Sequence, residues 1–349
     1  MKKRSLMLAA SIGALALTSC GGPGGGGEGA AGGGASRLDT VKARGQLICG
    51  VDGGIPGFSF VDNGEYSGLD VDVCKAVAAA LFDDPDAVEY RNLDSTERFE
   101  ALKGGEVDML SRNTTWTIDR DTKVGMEFAP TTFYDGQGMM VREASGITEL
   151  QGLEGFTVCV EAGTTTELNL TDQFRQLGIN ATPQTFQSAD AAYAAYEAES
   201  CEGMTSDKSQ LVARRSTLSN PDEHVLLDVT MSKEPLGPLT TNNDSAWFDT
   251  VKWVTYALIQ AEEFGLTADN IAEAANSDNP DIKRFVGAEG TLGEDMGLPN
   301  DFAARAVGAV GNYGDIFERN LGQDSQFKLE RGQNALYTDG GLMYSPPFR

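Results

Sequence analysis

Between Asp108 and Pro130 the chain reads DMLSRNTTWTIDRDTKVGMEFAP, a stretch whose residue types could capture an anion. Val107, Met109 and Leu110 form a short apolar run that predicts a strand. Ser111 to Trp116 predicts a polar loop, and Thr117 ahead of Ile118, Asp119 and Arg120 a capped helix start. Such a corner leaves backbone N–H groups unpaired at the helix start, where the macrodipole favours an anion and disfavours a cation. Arg120 is therefore a cation at the wrong end of a helix, tolerable if an anion meets it, and Asn113, Thr114 and Thr115 supply short hydrogen-bonding side chains beside it. The plainer alternative is a surface arginine paired with Asp119 or Asp121, and this stretch alone does not separate the two. Chemistry of the same kind recurs further on. In Gly163-Thr164-Thr165-Thr166-Glu167, Thr164 and Glu167 have capping-box spacing, and the free N–H groups of Thr165 and Thr166 could take an anion.

The elements that must position these residues alternate strand and helix. Leu47 to Val51 predicts a strand running into the turn-rich Asp52 to Gly57, followed by a small hairpin-like excursion through Tyr66. A helix follows over Val73 to Phe82, a strand over Ala87 to Asn92, and a helix capped by Asp94 and Glu97 and stopped at Gly104-Gly105. Thr131 to Arg142 has no helix period and predicts a crossing into a second alternating unit: strand Thr157 to Val160, helix from Thr165, helix Ala189 to Ala198, strand Glu202 to Thr205, then Ser206-Asp207 and helix Lys208 to Arg214. The Pro-rich Met231 to Thr241 predicts the return crossing, after which Asn243 or Asp244 caps a long helix to about Phe264 with Trp247, Val251, Val254 and Leu258 on one core-facing stripe. Alternation of this kind implies doubly wound, mostly parallel α/β sheets with ligands at the carboxyl ends of their strands. The chain divides into 37–135 plus 239–349 as a discontinuous first lobe and 136–238 as a second. That division puts Arg120 and Asp207 on opposite walls of one cleft.

The 349 residues carry 27 basic and 52 acidic side chains, a net charge of −25, which leaves no basic footprint for nucleic acid. Lys2-Lys3-Arg4 precedes an apolar run from Leu6 to Leu17, too short and interrupted to span a bilayer comfortably, the pattern of a secretory signal. It ends at Leu17-Thr18-Ser19-Cys20, which resembles a bacterial lipobox and makes Cys20 the expected acylated first residue; the alternative is an ordinary signal peptide that contains a cysteine. An acyl anchor lies on a membrane without crossing it. Residues 21–36, nearly all Gly and Ala, predict a flexible tether reaching roughly 20 to 24 Å.

Cys49, Cys74, Cys159 and Cys201 remain, an even count in an oxidising compartment. Three pairings are open, as are four free thiols. The favoured pairing is Cys49 with Cys74, across one strand-to-helix unit, and Cys159 with Cys201, on neighbouring strands, each closing a loop worth about 3 to 4 kcal/mol. With no Cys/His cluster and His224 the sole histidine, no metal or other cofactor is expected.

At this point the residues resemble a family: the type II periplasmic solute-binding proteins of amino-acid ABC transporters, in their general L-amino-acid-binding branch. The resemblance rests on CGVDGGIPGFSF with GLDVDVCKAVAAALF, STERFEALKGGEVDMLSRNTTWTIDRD, CVEAGTTTELNL, TSDKSQLVARR, KEPLGPL and RGQNALYTDGGLMYSPPFR, and covers about Leu38 to Arg349. It implies a two-lobed type II periplasmic-binding-protein fold with two hinge crossings. It also implies a free L-amino acid as ligand, an ABC permease as partner and a monomer outside the cytoplasm, while the lipobox reading adds attachment to the membrane by lipid alone.

Position by position, the resemblance places the carboxylate-binding arginine on Arg120. Companion loop contacts fall on Asn113 and Thr115, and a second-lobe carboxylate donor on Thr165 through its backbone N–H. The ammonium-binding aspartate falls on Asp207 and a first-lobe acidic contact on Asp52. Two positions depart from narrower relatives: Ser95 stands where they place an aromatic residue over the ligand, and Glu161 where they place a basic or polar one. Both would read the ligand side chain, and a roomier pocket fits a broad, polar preference. The rival readings are a dehydratase-like enzyme using Glu161 or Asp207 as acid or base, and a sensory or adhesive lipoprotein that has lost its ligand.

Overall fold

A computed structural model describes residues 36–349; the predicted leader, Cys20 and the Gly-rich stretch through residue 35 lie outside the described residues. Ser36, expected to end the tether, instead caps the first helix, α1 (Arg37–Arg44). Its Oγ accepts from Asp39 N at 3.1 Å, because Ser ahead of an acidic first turn is a helix start.

Strand β1 (Leu47–Val51) leads through a three-stranded excursion, β2 (Gly54–Ile55), β3 (Ser59–Asp62) and β4 (Glu65–Ser67), into α2 (Leu69–Phe82). Gly68 makes that entry with φ 124°, where any Cβ would meet the Phe58 carbonyl. Then come β5 (Val88–Asn92), α3 (Arg98–Gly104), β6 (Met109–Leu110) and β7 (Met126–Phe128). The chain crosses through β8 (Phe133–Asp135) to β9 (Gln137–Arg142), β10 (Thr157–Glu161), α4 (Thr165–Leu177), β11 (Thr182–Phe186), α5 (Ala189–Glu197), β12 (Gly203–Asp207), α6 (Lys208–Arg215) and β13 (His224–Leu226). It returns through β14 (Glu234–Leu236) to β15 (Leu239–Thr241) and α7 (Ser245–Glu263). Short helices α8 (Pro280–Phe285), α9 (Leu292–Asp295), α10 (Phe302–Val310) and α11 (Tyr313–Asn320) follow.

Two five-stranded sheets result, ordered β5-β1-β6-β15-β7 and β11-β10-β12-β9-β13. In the first, only β15 runs antiparallel to its neighbours, and in the second only β9 does. In each sheet the reversed strand is the one that arrives from the other sheet. The crossing read over Thr131 to Arg142 therefore ends sooner than expected: β9 is an interior strand of the second sheet, and its alternation of Met139 and Val141 against Met140 serves a sheet buried on both faces. The crossings themselves, β8 and β14, pair antiparallel as a two-stranded ribbon with Asp135 opposite Glu234.

Beside the first sheet, α2 packs against α7 and α10 through Val73, Val77, Val254, Leu258, Ala303 and Val307. The expected α7 stripe is core, with Trp247 Nε1 also donating to Asp108 O at 2.8 Å. Both disulfides have the favoured pairing: Cys49–Cys74 ties β1 to α2 and Cys159–Cys201 ties β10 to the entry of β12, with Cα atoms 6.3 and 5.7 Å apart. Among the described residues no helix is long and apolar enough to cross a membrane.

Candidate functional site

One wall of the cleft is the corner after β6. Asn113 takes the left-handed backbone its type tolerates (φ 33°), and Asp70, at the start of α2, holds the turn by accepting from Asn113 N (2.8 Å) and Ser111 Oγ (3.2 Å). The expected helix start is there, since Thr117 Oγ1 accepts from Arg120 N at 3.2 Å, but it is a short π-helical turn, Arg120–Val124. Arg120 is not a surface ion pair. It is 7% exposed, Nη1 donates to Thr115 O at 2.7 Å, and Asp119 pairs with Lys123 instead. Among the described residues no carboxylate pairs with it.

The facing wall comes from the second sheet. Thr164 caps α4 by accepting from Glu167 N at 3.1 Å, while the Glu167 carboxylate reaches Gly163 N rather than closing the box on Thr164. Gly163 (φ 72°) passes so near the other wall that a Cβ would sit 3.2 Å from Thr96 Cγ2, so the left-handed turn and the close approach both favour glycine. Asp207 ends β12 at 6% exposure, and its Oδ1 has no hydrogen-bond partner.

Ser95, Asn113, Thr115, Arg120, Glu161, Thr165 and Asp207 all line one cavity. Asp52 does not. Its carboxylate accepts from Arg112 Nη2 (2.6 Å) and Gly54 N (3.0 Å), so it supports the wall from behind rather than facing a ligand. Glu161 is also engaged, with Oε1 accepting from Ser95 N (3.4 Å) and 3.5 Å from Arg112 Nη2. Among the described residues no group of three His, Cys, Asp or Glu side chains could hold a metal ion.

Sequence reasoning missed three charged residues. Arg112 lines the cavity between Asp52 and Glu161. Arg98, also lining it, is 3% exposed, leaves Nε without a partner, and lies 4.9 Å over the Phe99 ring, which Arg120 approaches at 5.4 Å. Its signal was the one used for Arg120, a cation in the first turn of a helix. Glu234, 1% exposed on β14, receives the Thr115 and Thr165 hydroxyls; its signal was a lone acidic residue in the apolar run EPLGPL.

The electrostatics match this arrangement. Burial, then the neighbouring Asp135 and Glu234 carboxylates, push the Asp207 carboxyl well above its ordinary range, with Arg120 opposing. Burial lowers Arg120 to about 10, and burial with Arg120 and Arg112 nearby pushes Arg98 well down. A guanidinium keeps its charge, so two buried cations call for anions, and an unpaired buried carboxylate calls for a cation.

Asp70 gives a separate prediction. Burial raises its carboxyl from 3.8 to about 7, so the folded state binds the proton more tightly than the unfolded chain and stability falls as pH rises across that window, by up to about 4 kcal/mol. Asp70→Asn should flatten the Tm profile between those limits in scanning calorimetry; an unchanged slope would show that Asp70 does not titrate there.

Similarity to known proteins extends along most of the chain. The family described as bacterial extracellular solute-binding proteins, family 3, matches residues 47–325. The general L-amino acid-binding periplasmic protein AapJ of Rhizobium johnstonii is 52% identical over 318 residues, 90% of this chain and 93% of that one. The glutamate/glutamine/aspartate/asparagine-binding protein BztA of Rhodobacter capsulatus is 49% identical over 317 residues, 90% and 94% of the two chains. An ABC transporter periplasmic binding protein from Brucella ovis, solved with glutathione bound, superposes with a TM-score of 0.88 at 48% identity, covering 90% of this chain and all of that one.

Proposed function

The chain belongs to family 3 of the bacterial extracellular solute-binding proteins, and from that premise we propose that it captures free L-amino acids, with a broad polar preference, for delivery to an ABC permease. One observation carries this reading: Arg120 and Asp207, buried charges of opposite sign without ionic partners, line the same cavity from opposite walls. An α-amino acid offers each what it lacks, a carboxylate for Arg120 and an ammonium for Asp207. Thr165 adds its backbone N–H at the α4 terminus. Arg98 supplies a second buried cation in the cavity, which suits a polar or acidic side chain, and Ser95 and Glu161 complete the surface that reads it. The names of AapJ and BztA support the same ligand class.

Capture works by hinge closure about the β8–β14 ribbon, with 37–135 plus 239–349 as one rigid lobe and 136–238 as the other. A ligand bridging both walls binds the closed form better than the open one, and only that difference can shift the equilibrium. The closed form, a monomer anchored outside the cytoplasm by lipid on Cys20, then meets the permease. No catalytic step is required, and the named relatives are binding proteins, which gives the dehydratase-like alternative no support.

A thermal-shift panel of the twenty L-amino acids and their D-forms, on ligand-stripped protein, tests the reading. Several L-amino acids should raise Tm, and acidic or amide side chains should rank above purely apolar ones. No shift with any of them, confirmed by calorimetry, would sink it.

A further inference from the structure

The carboxylate of Glu234 occupies a position that binding alone does not explain. On the hinge strand β14, its Oε2 accepts from Thr115 Oγ1 at 2.6 Å and from Thr165 Oγ1 at 2.8 Å. Its Oε1 accepts from Asn169 Nδ2 at 2.9 Å and from Ser232 Oγ. Thr115 belongs to the first-sheet corner that carries Arg120, whereas Thr165 and Asn169 lie on α4 of the second sheet. The corner follows the hinge strand closely, since Thr115 bridges Leu236 and Trp116 N donates to Pro235 O at 2.9 Å. A single buried carboxylate on the crossing thus joins both jaws, and the two hydroxyls it holds are 3.4 Å from each other.

Each threonine hydroxyl has one proton. With both protons directed at Glu234, the oxygens of Thr115 and Thr165 turn only lone pairs toward the cavity they line. We propose that Glu234 is a positioning residue that latches the closed cleft and fixes the polarity of both hydroxyls. They then accept from the ligand's ammonium, and its carboxylate is left to Arg120 and backbone N–H groups. This rests on the amino-acid reading above. The groups around the latch fit that polarity: Asp135 faces Glu234 across the ribbon, Asp207 lines the cavity opposite, and Arg120 is the nearby cation.

The test uses the full chain with L-glutamate as probe, in stopped-flow binding and in small-angle scattering of ligand-stripped protein. Glu234→Ala and Thr165→Val should each weaken binding by about tenfold or more, mainly through faster release, and should shift the scattering profile toward a wider molecule. Glu234→Gln, which keeps an acceptor oxygen, should recover most of the loss. In the double variant the losses should fall short of additive, because both remove one contact. If wild type binds L-glutamate while Glu234→Ala and Thr165→Val both leave release rate and scattering unchanged, or if the double variant is fully additive, the latch is wrong. Absence of binding to any amino acid by wild type would instead overturn the amino-acid reading, and scattering of the variants would still decide the latch.

Discussion

Arg120→Ala is expected to weaken every amino-acid ligand by a similar factor. The guanidinium is buried, has one intramolecular bond, to Thr115 O, and has no carboxylate partner among the described residues. Its strongest available partner is therefore the ligand's α-carboxylate, the group all amino acids share. Removing one member of a buried, hydrogen-bonded charge pair costs about 2 to 5 kcal/mol, roughly thirtyfold to several-thousandfold in Kd. Titration calorimetry across the ligands found in the panel should show losses that agree within about threefold from one side chain to the next, inside the usual scatter of such effects. Stability should change little, because the variant also removes a buried cation whose charge burial opposes. Losses confined to one side-chain class would place the α-carboxylate elsewhere. Substitutions at Arg98, Ser95 or Glu161 should do what Arg120→Ala does not, and reorder the preferences.

Asp207→Asn should cost affinity on the same scale and also remove a pH dependence. In the free protein, burial and the Asp135 and Glu234 carboxylates raise the Asp207 carboxyl well above its usual range. An arriving ammonium favours the ionised form, so binding expels the proton and wild-type affinity rises with pH through the window between the two values. The sign for stability is the reverse. A carboxyl whose folded pKa is raised stabilises the free protein less as pH climbs through that window, because the folded state holds more protons than the unfolded one. The asparagine variant should therefore be more stable without ligand at neutral pH and bind far more weakly, a trade expected where a site keeps an unpaired charge. Calorimetry in buffers of differing ionisation enthalpy reads the expelled proton directly. The same proton release in wild type and variant would assign it to another group, Asp135 being the nearest, with its carboxyl raised to about 6.

The two effects separate shared recognition from selection. In the proposed reading, Arg120 and Asp207 would hold what every amino acid has. Arg98 and the Arg112, Glu161 and Ser95 group would then surround what differs, and Arg112 is already balanced by Asp52 and Glu161. That balance leaves Arg98 as the cation whose demand a ligand side chain would answer.

What lay in the sequence was local. Alternating apolar periods placed the strands and helices, and the caps at Thr164 and Asp244 fall where the side-chain types required. The stripe on α7 was legible as core, and a cation in a first helical turn marked Arg120 before any partner was visible. These signals depend on neighbours within a few residues, and local backbone chemistry carries them.

What only the tertiary structure decided depended on residues far apart in the chain. Asp52 looked like a ligand contact, but Arg112, sixty positions on, takes its carboxylate. Arg98 needed burial to become a site residue, since an exposed arginine in a first turn is unremarkable. Glu234 lies 119 and 69 positions from the hydroxyls it joins, and no spacing rule connects them. The strand that reverses in each sheet was likewise set by which crossing delivers it. Periodicity records which face of an element is apolar, but a buried charge is defined by the partner that folding brings to it, and that partner is fixed only when both sheets are in place.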